Sequence, residues 1–226
     1  MIPVAPAPEP ADFDSQVRQP GLIAIAEMVG KPPPYRRTAG KAHRKMADQE
    51  SDIPAEHFPA YWTRALDDLM RAYRQTRAYA CFRIHPVTGA RSADHFAPKS
   101  RHWQDVYAWS NYRLCCSRMN ARKNDFPHVL DPFLIQPNWF QLELLGFQVI
   151  PNFELEPAIV DQIQTTIDTL GLNDFCRERE EDAERYWAGD YSLRILQQES
   201  PFVAYELHRQ NRLRAGDAWS PIVHTG

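Results

Sequence analysis

The sequence predicts an α+β protein: a strand–strand–helix core embedded in a mainly helical domain that carries a small extra β-hairpin. Three observations predict it. β-prone segments separated by turn residues run through 79–125 and end in a short helical stretch. Apolar residues recur at spacings of three and four on either side of that run. Two further β-rich runs, split by turn signals at Pro137-Asn138 and Gly146, lie between the core and the C-terminal helices. The 226 residues suffice for one sizeable domain or a small core with appended segments, and 43% hydrophobic with 24% charged residues is ordinary for a globular chain. Three parts are expected: a Pro-rich and basic arm over 1–50, the main domain over 51–200 with its core at about 79–125, and a C-terminal helix and tail over 201–226.

Eight of the nineteen Pro fall in the first 34 residues, which predicts an extended or disordered segment for much of that length. Its one apolar patch, Gly21 to Gly30, suits a short docked helix or strand. Phe58, Trp62, Leu66, Leu69 and Tyr73 share one face of a helix expected from about Pro59 to Thr76, with Arg64, Asp67, Asp68 and Arg71 opposite. Tyr79 to Ile84 is apolar and β-prone, Pro86-Val-Thr-Gly89 supplies a turn, and Arg91 to Phe96 leads back, so a hairpin is expected over 79–96. Ala97 to Ala108 reads as a loop, Asn111 to Leu114 as a short strand, and Ser117 to Lys123 as one or two helical turns. Ile159, Ile163, Ile167 and Leu170 mark an amphipathic helix over 157–170. A charged helix is expected over 174–198, with Phe175, Tyr186 and Leu193 available for burial, and a last helix over 200–213.

The net charge of −3 argues weakly against nucleic acid, but its distribution matters more. Lys31 to Lys45 holds six basic residues and no acidic one, and Arg91 to His128 holds seven basic against three acidic. Glu154 to Glu199 carries twelve acidic against four basic. The centre can face phosphates while the C-terminal third faces solvent or a partner. No span reaches the roughly 18 apolar residues of a membrane helix. Four Cys without a framework spacing, and no signal peptide, lead to the expectation of a cytoplasmic protein.

The chemistry concentrates in Ser92 to Asp125. Phosphodiester hydrolysis needs an activated water, stabilisation of a charged transition state and an electrophile at the leaving oxygen. His95 suits proton abstraction near neutral pH. Asp94 and Asn120 offer the hard oxygen donors that Mg²⁺ or Mn²⁺ prefer. Asn111 can fix the loop by hydrogen bonds and so orient His95, and Lys99, Arg118, Arg122 and Lys123 are candidates for phosphate contacts. Taken singly, an Asp-His pair is more often a surface turn, and an Asn near a helix start is more often a cap. The combined order is far more specific.

In that order, Asp94-His95-Phe-Ala-Pro98-Lys99, Trp109-Ser-Asn111-Tyr-Arg-Leu114 and Asn120-Ala-Arg-Lys123 resemble the HNH endonuclease motif in its Asp-His…Asn…Asn form. More narrowly the chain resembles the PtuB (Septu and retron-associated) HNH nucleases of bacterial anti-phage defence. Val129-Leu-Asp131-Pro132-Phe133 and Thr166 to Asn173 resemble the tail of that family. The likeness spans roughly 58–185 and is strongest over 92–125. It implies a ββα-metal fold with His95 as general base, Asp94 and Asn120 on Mg²⁺ or Mn²⁺, and Asn111 in support. It also implies DNA as substrate, 5′-phosphate and 3′-hydroxyl products, and an ABC or SMC-like ATPase partner within a larger defence complex. Two other readings stay open: a nucleic-acid-binding or regulatory subunit inactive alone, and an RNase toxin on the same scaffold.

One departure from the family concerns zinc. Many HNH proteins clamp a structural zinc with two Cys-x-x-Cys pairs, but here those positions read Cys81-Phe-Arg-Ile84 and Cys116-Ser-Arg-Met119. Two thiolates do not close a tetrahedral site, and neither His85 nor Cys115 has the expected spacing. No structural zinc is expected, with Ile84, Met119 and both Cys packed in the core.

Overall fold

The structure is a computed structural model and describes residues 1–37, 40–126 and 128–220. It is an α+β fold. Among the described residues there are seven α-helices and two small antiparallel strand pairs. The order is α1 (Gln19–Met28), α2 (Leu66–Ala72), β1 (Arg91–His95), β2 (Tyr112–Cys116) and α3 (Ser117–Lys123), then β3 (Phe140–Leu142) and β4 (Val149–Pro151). Four helices follow: α4 (Pro157–Leu170), α5 (Cys176–Ala188), α6 (Leu193–Glu199) and α7 (Pro201–Arg209).

β1 pairs with β2 in the register Asp94↔Arg113 and His95↔Tyr112, so α3 leaves directly from a strand bonded to the Asp-His segment. All five residues of β2 are buried, because the strand lies between two apolar clusters. Tyr112 and Leu114 enter the cluster formed with α1, α2 and the β1–β2 loop, while Cys115 enters the one formed with β3, β4 and the C-terminal helices. Alternation along a strand places successive side chains on opposite faces, and here both faces are covered.

Three expectations meet a different arrangement. Tyr79 to Ile84 is not a strand, and its contribution to pairing is one isolated bridge, Thr76↔Arg83. Cys81 takes φ +54°, which breaks an extended run, and the backbone closes on itself through Cys81 N–H to Arg77 O and Arg77 N–H to Phe82 O. The partner of β1 is therefore β2, across the long loop 96–111. The helix expected over 59–76 starts as a 3₁₀ turn at Tyr61–Ala65 and stops at Ala72, before the left-handed pair Arg74 and Gln75. The charged helix over 174–198 is divided by Gly189 at φ +95°, a left-handed cap only glycine adopts without cost; Ser192 then starts α6 by accepting Ile195 N–H.

The Pro-rich N-terminal segment is part of the core. Phe13, Val17, Ala24 and Met28 are buried, and Val4 N–H donates to Pro132 O while Trp109 Nε1–H donates to Ala7 O. The hairpin β3–β4, α4, α7 and the short α3 fall where the sequence patterns place them. The last six residues of the tail lie outside the described residues.

Candidate active site

β1 ends on Asp94 and His95, whose side chains emerge on opposite sides of the strand. Asp94 turns toward α3, where it meets Lys123 Nζ at 3.2 Å and accepts the Tyr79 hydroxyl at 2.6 Å on its other oxygen. Only 2% of Asp94 is exposed. Burial pushes its carboxyl up, and the Lys123 charge with the Tyr79 hydrogen bond opposes that rise. Burial also raises the Tyr79 phenol, and the neighbouring Asp94 adds to it.

His95 turns the other way. Its Nε2 lies 3.0 Å from Val106 O, which also accepts the Tyr112 hydroxyl at 2.8 Å. A carbonyl only accepts, so Nε2 carries the proton and Nδ1 keeps its lone pair. The ring stands perpendicular to Trp62 at 4.7 Å between centroids, with Tyr112 at 5.2 Å on another side. Burial pushes the imidazole down to about 3, the Lys99 charge adds to the fall, and the Val106 hydrogen bond opposes it. A neutral base at all ordinary pH is the consequence.

Asn111 holds the loop that carries Val106. Its Oδ1 accepts Ala97 N–H at 2.7 Å, and its Nδ2 donates to Ala97 O at 3.1 Å and Asp105 O at 3.0 Å. It is 7% exposed and lines no part of the cleft described next, so it acts on His95 through the loop. Asn120, on α3, donates its Nδ2 to Ser92 Oγ at 2.9 Å, which leaves its Oδ1 for other partners.

Asp94, His95, Lys99 and Asn120 all border one cleft of about 450 Å³, together with Trp62 and Asp125. Lys99 Nζ sits 4.4 Å above the Trp62 ring, half-buried, and burial lowers its ammonium against the opposing charges of Asp125 and Glu56. The other three predicted phosphate ligands do not reach this cleft. Lys123 is 1% exposed and bonds Asp94 Oδ1, His95 O and Phe96 O, so it organises the end of β1 from within. Arg122 binds Asp174, Leu170 O and Gly171 O, satisfying carbonyls at the end of α4, and Arg118 reaches the same Asp174 at 3.0 Å. α3 thus uses its cations to dock the C-terminal helices and the strand. In the basic arm, Lys31 pairs with Glu50 at 2.6 Å, Lys45 with Asp48 at 2.7 Å and Arg37 with Glu27, while residues 38 and 39 lie outside the described residues.

Tyr79 and Trp62 do not stand out in the sequence as neighbours of this site, and Lys123, expected at phosphate, packs under the end of β1. Trp62 reads as one more member of a core face, and Tyr79 as one more β-prone residue. Lys123 did carry a signal: three residues beyond Asn120 on a helix, it must share that residue's face.

The donor chemistry suits a hard divalent cation. The four lone-pair sites of the Asp94 carboxylate are half used by Tyr79 and Lys123, and Asn120, which also carries an amide oxygen, borders the same cleft. Mg²⁺ typically takes one or two protein oxygens and keeps water for the rest of its shell. Among the described residues no three His, Cys, Asp or Glu side chains gather as a metal cage, which says nothing either way about Mg²⁺. Cys81, Cys116, Ile84 and Met119 are all buried, and all four cysteines are free thiols. No helix among the described residues is long and apolar enough to cross a membrane. No protein-family model matches the chain, and no curated protein matches it.

Proposed function

We propose that the chain is a divalent-cation-dependent endonuclease that hydrolyses DNA phosphodiester bonds, with β1, β2 and α3 as a ββα-metal core of the HNH kind. The observation that carries this reading is the placement of His95: its Nε2–H is tied to Val106 O, which leaves the Nδ1 lone pair free, beside a cleft that also holds Asp94, Asn120 and Lys99. His95 takes the proton of the attacking water, Asp94 and Asn120 would hold Mg²⁺ or Mn²⁺, Lys99 contacts phosphate, and Asn111 keeps the loop in place. The cation, when bound, supplies an electrophile for the leaving oxygen.

The test is nicking of plasmid DNA with Mg²⁺, comparing the parent with His95→Ala and Asn120→Ala. Loss of about 10²-fold or more in both variants is expected from removal of a general base or a metal ligand. Variants that both cut as fast as the parent overturn the assignment. Parallel digestion of single- and double-stranded DNA and RNA separates a DNase from an RNase toxin on the same scaffold.

A second reading is favoured by the hydrogen bonds that both Asp94 oxygens already accept. On it the chain is a regulatory subunit of a phage-defence complex, inactive alone, whose site is opened by an ATPase of the ABC or SMC-like kind. Exposed Glu178, Glu180 and Glu184 on α5 offer that partner an acidic docking surface. Rapid cutting by the isolated chain, shown monomeric by native mass spectrometry, argues against this version.

A further inference from the structure

The lining of the cleft includes a large aromatic residue, Trp62, that also packs on the neighbouring apolar cluster and stacks on Tyr107. Trp62 belongs to the 3₁₀ turn Tyr61–Ala65, outside the strand–strand–helix unit, and remains partly exposed where it borders the cleft. It touches two functional side chains of the cleft. Its ring meets the His95 imidazole at 89°, and Lys99 Nζ lies 4.4 Å above its centroid.

We propose that Trp62 is a positioning residue that holds Lys99 as an un-neutralised anion ligand beside His95. This rests on the nuclease reading for its catalytic consequence, but not for the contacts themselves.

Two physical points carry it. The Nε2–H bond to Val106 O anchors one atom of the His95 ring, and Trp62 with Tyr112 packs on the rest of it at near right angles, 89° and 74°. Lys99 forms no ion pair among the described residues; Asp125 and Glu56 act on it only through space. An aromatic face attracts an ammonium through its quadrupole without neutralising it. A carboxylate in that place would fix Lys99 equally well and would repel the incoming phosphate. Trp62 therefore gives the order of an ion pair while leaving the charge for the substrate.

The position can be read without any cutting. Reductive methylation with ¹³C-formaldehyde converts accessible lysines to dimethyl-lysine, which keeps its charge. The Lys99 signal, identified by its loss in Lys99→Arg, is expected upfield of the other lysines because it lies over an indole ring. In Trp62→Leu it should return to the range of Lys31, Lys41 and Lys45, and in Trp62→Phe remain partly displaced. Inorganic phosphate should move this signal in the parent, with about tenfold more phosphate needed in Trp62→Leu. A Lys99 signal that is not displaced, or that is the same in Trp62→Leu, overturns the proposal whether or not the protein cuts DNA.

The kinetic arm uses a short oligonucleotide with Mg²⁺. Trp62→Leu should raise KM and lower kcat together by about tenfold each, Trp62→Phe should recover most of both, and Lys99→Met should add little in the Trp62→Leu background. Fully additive losses overturn the coupling. A parent that does not cut defeats the nuclease reading, and the phosphate titration then decides the role of Trp62 alone.

Discussion

Lys123 and Asp94 form an ion pair at 3.2 Å with both side chains withdrawn from solvent, 1% and 3% exposed. Desolvating two charges is offset here by extra hydrogen bonds: the ammonium also reaches His95 O and Phe96 O, and the carboxylate also accepts Tyr79 O–H. The pair ties the last turn of α3 to the end of β1, the two elements that carry Asn120 and His95.

Removing one partner of such a pair leaves an uncompensated buried charge. Lys123→Met is therefore expected to lower stability by about 3–5 kcal/mol, read as a lower denaturant midpoint in equilibrium urea unfolding. Lys99→Met, at the half-buried cleft rim, should cost under about 1 kcal/mol. Equal costs for the two would mean that Lys123 is as exposed to solvent in solution as Lys99.

The pH dependence of stability follows from His95. Its imidazole is pushed from 6.5 down to about 3 by burial, so between those values the unfolded chain binds a proton that the folded chain refuses. Stability from this group is fully present above pH 6.5 and is lost as pH falls toward 3. At pH 5 the loss is about 2 kcal/mol. Urea midpoints at pH 7 and pH 5 should differ more for the parent than for His95→Phe. A variant with the parent's full pH dependence would place the titration elsewhere.

The N-terminal helix supports the site through one close approach. A Cβ on Gly21 would clash with the Tyr107 ring, which is itself 3% exposed and fixed by its hydroxyl to Pro59 O at 2.8 Å. Tyr107 follows Val106, whose carbonyl holds His95. Gly21→Ala should then cost about 1–3 kcal/mol from overpacking, and lower cleavage more than an equally destabilising change in α4. Ile163→Val in α4 supplies that comparison, at about 1 kcal/mol. If Gly21→Ala leaves both stability and cleavage unchanged, α1 does not press on this loop.

Periodicity made much of this fold legible. Ile159, Ile163, Ile167 and Leu170 mark α4, because a helix packed on one side only must repeat its apolar residues, and Gly171 at φ +59° ends it. Tyr79 to Ile84 was opaque for the opposite reason. All of it but Arg83 is buried, so its apolar run has no period to separate a strand from a closed knuckle. The Pro-rich N-terminus misleads because proline forbids regular hydrogen bonding yet does not prevent packing. At the site, Asp94, His95, Lys99 and Asn120 come together in one cleft from positions spread over 27 residues, whereas Arg118, Arg122 and Lys123 show how little a positive charge says about its partner. Sign is written in the sequence, but burial and distance belong to the fold.

Asn111 offers the sharpest test of the loop, because it satisfies three backbone groups at once: Ala97 N–H, Ala97 O and Asp105 O. Asn111→Leu has similar volume and no polar atoms, so those groups lose their partners in a place with little access to water. Each unsatisfied buried group costs about 1–3 kcal/mol, less whatever water can recover. A net loss of about 2–4 kcal/mol is expected, confined to the loop. Hydrogen exchange should accelerate at the Ala97 amide and across 96–111, with α4 protected as in the parent. Asn111→Asp keeps the acceptor for Ala97 N–H but turns a lone pair toward Ala97 O and Asp105 O, so it should loosen the loop nearly as much. In both variants kcat should fall through the loss of a fixed Val106 carbonyl, while phosphate binding at Lys99 stays within about twofold. A loop that exchanges at the parent's rate in Asn111→Leu would show that the β1–β2 connection is held by its aromatic packing instead.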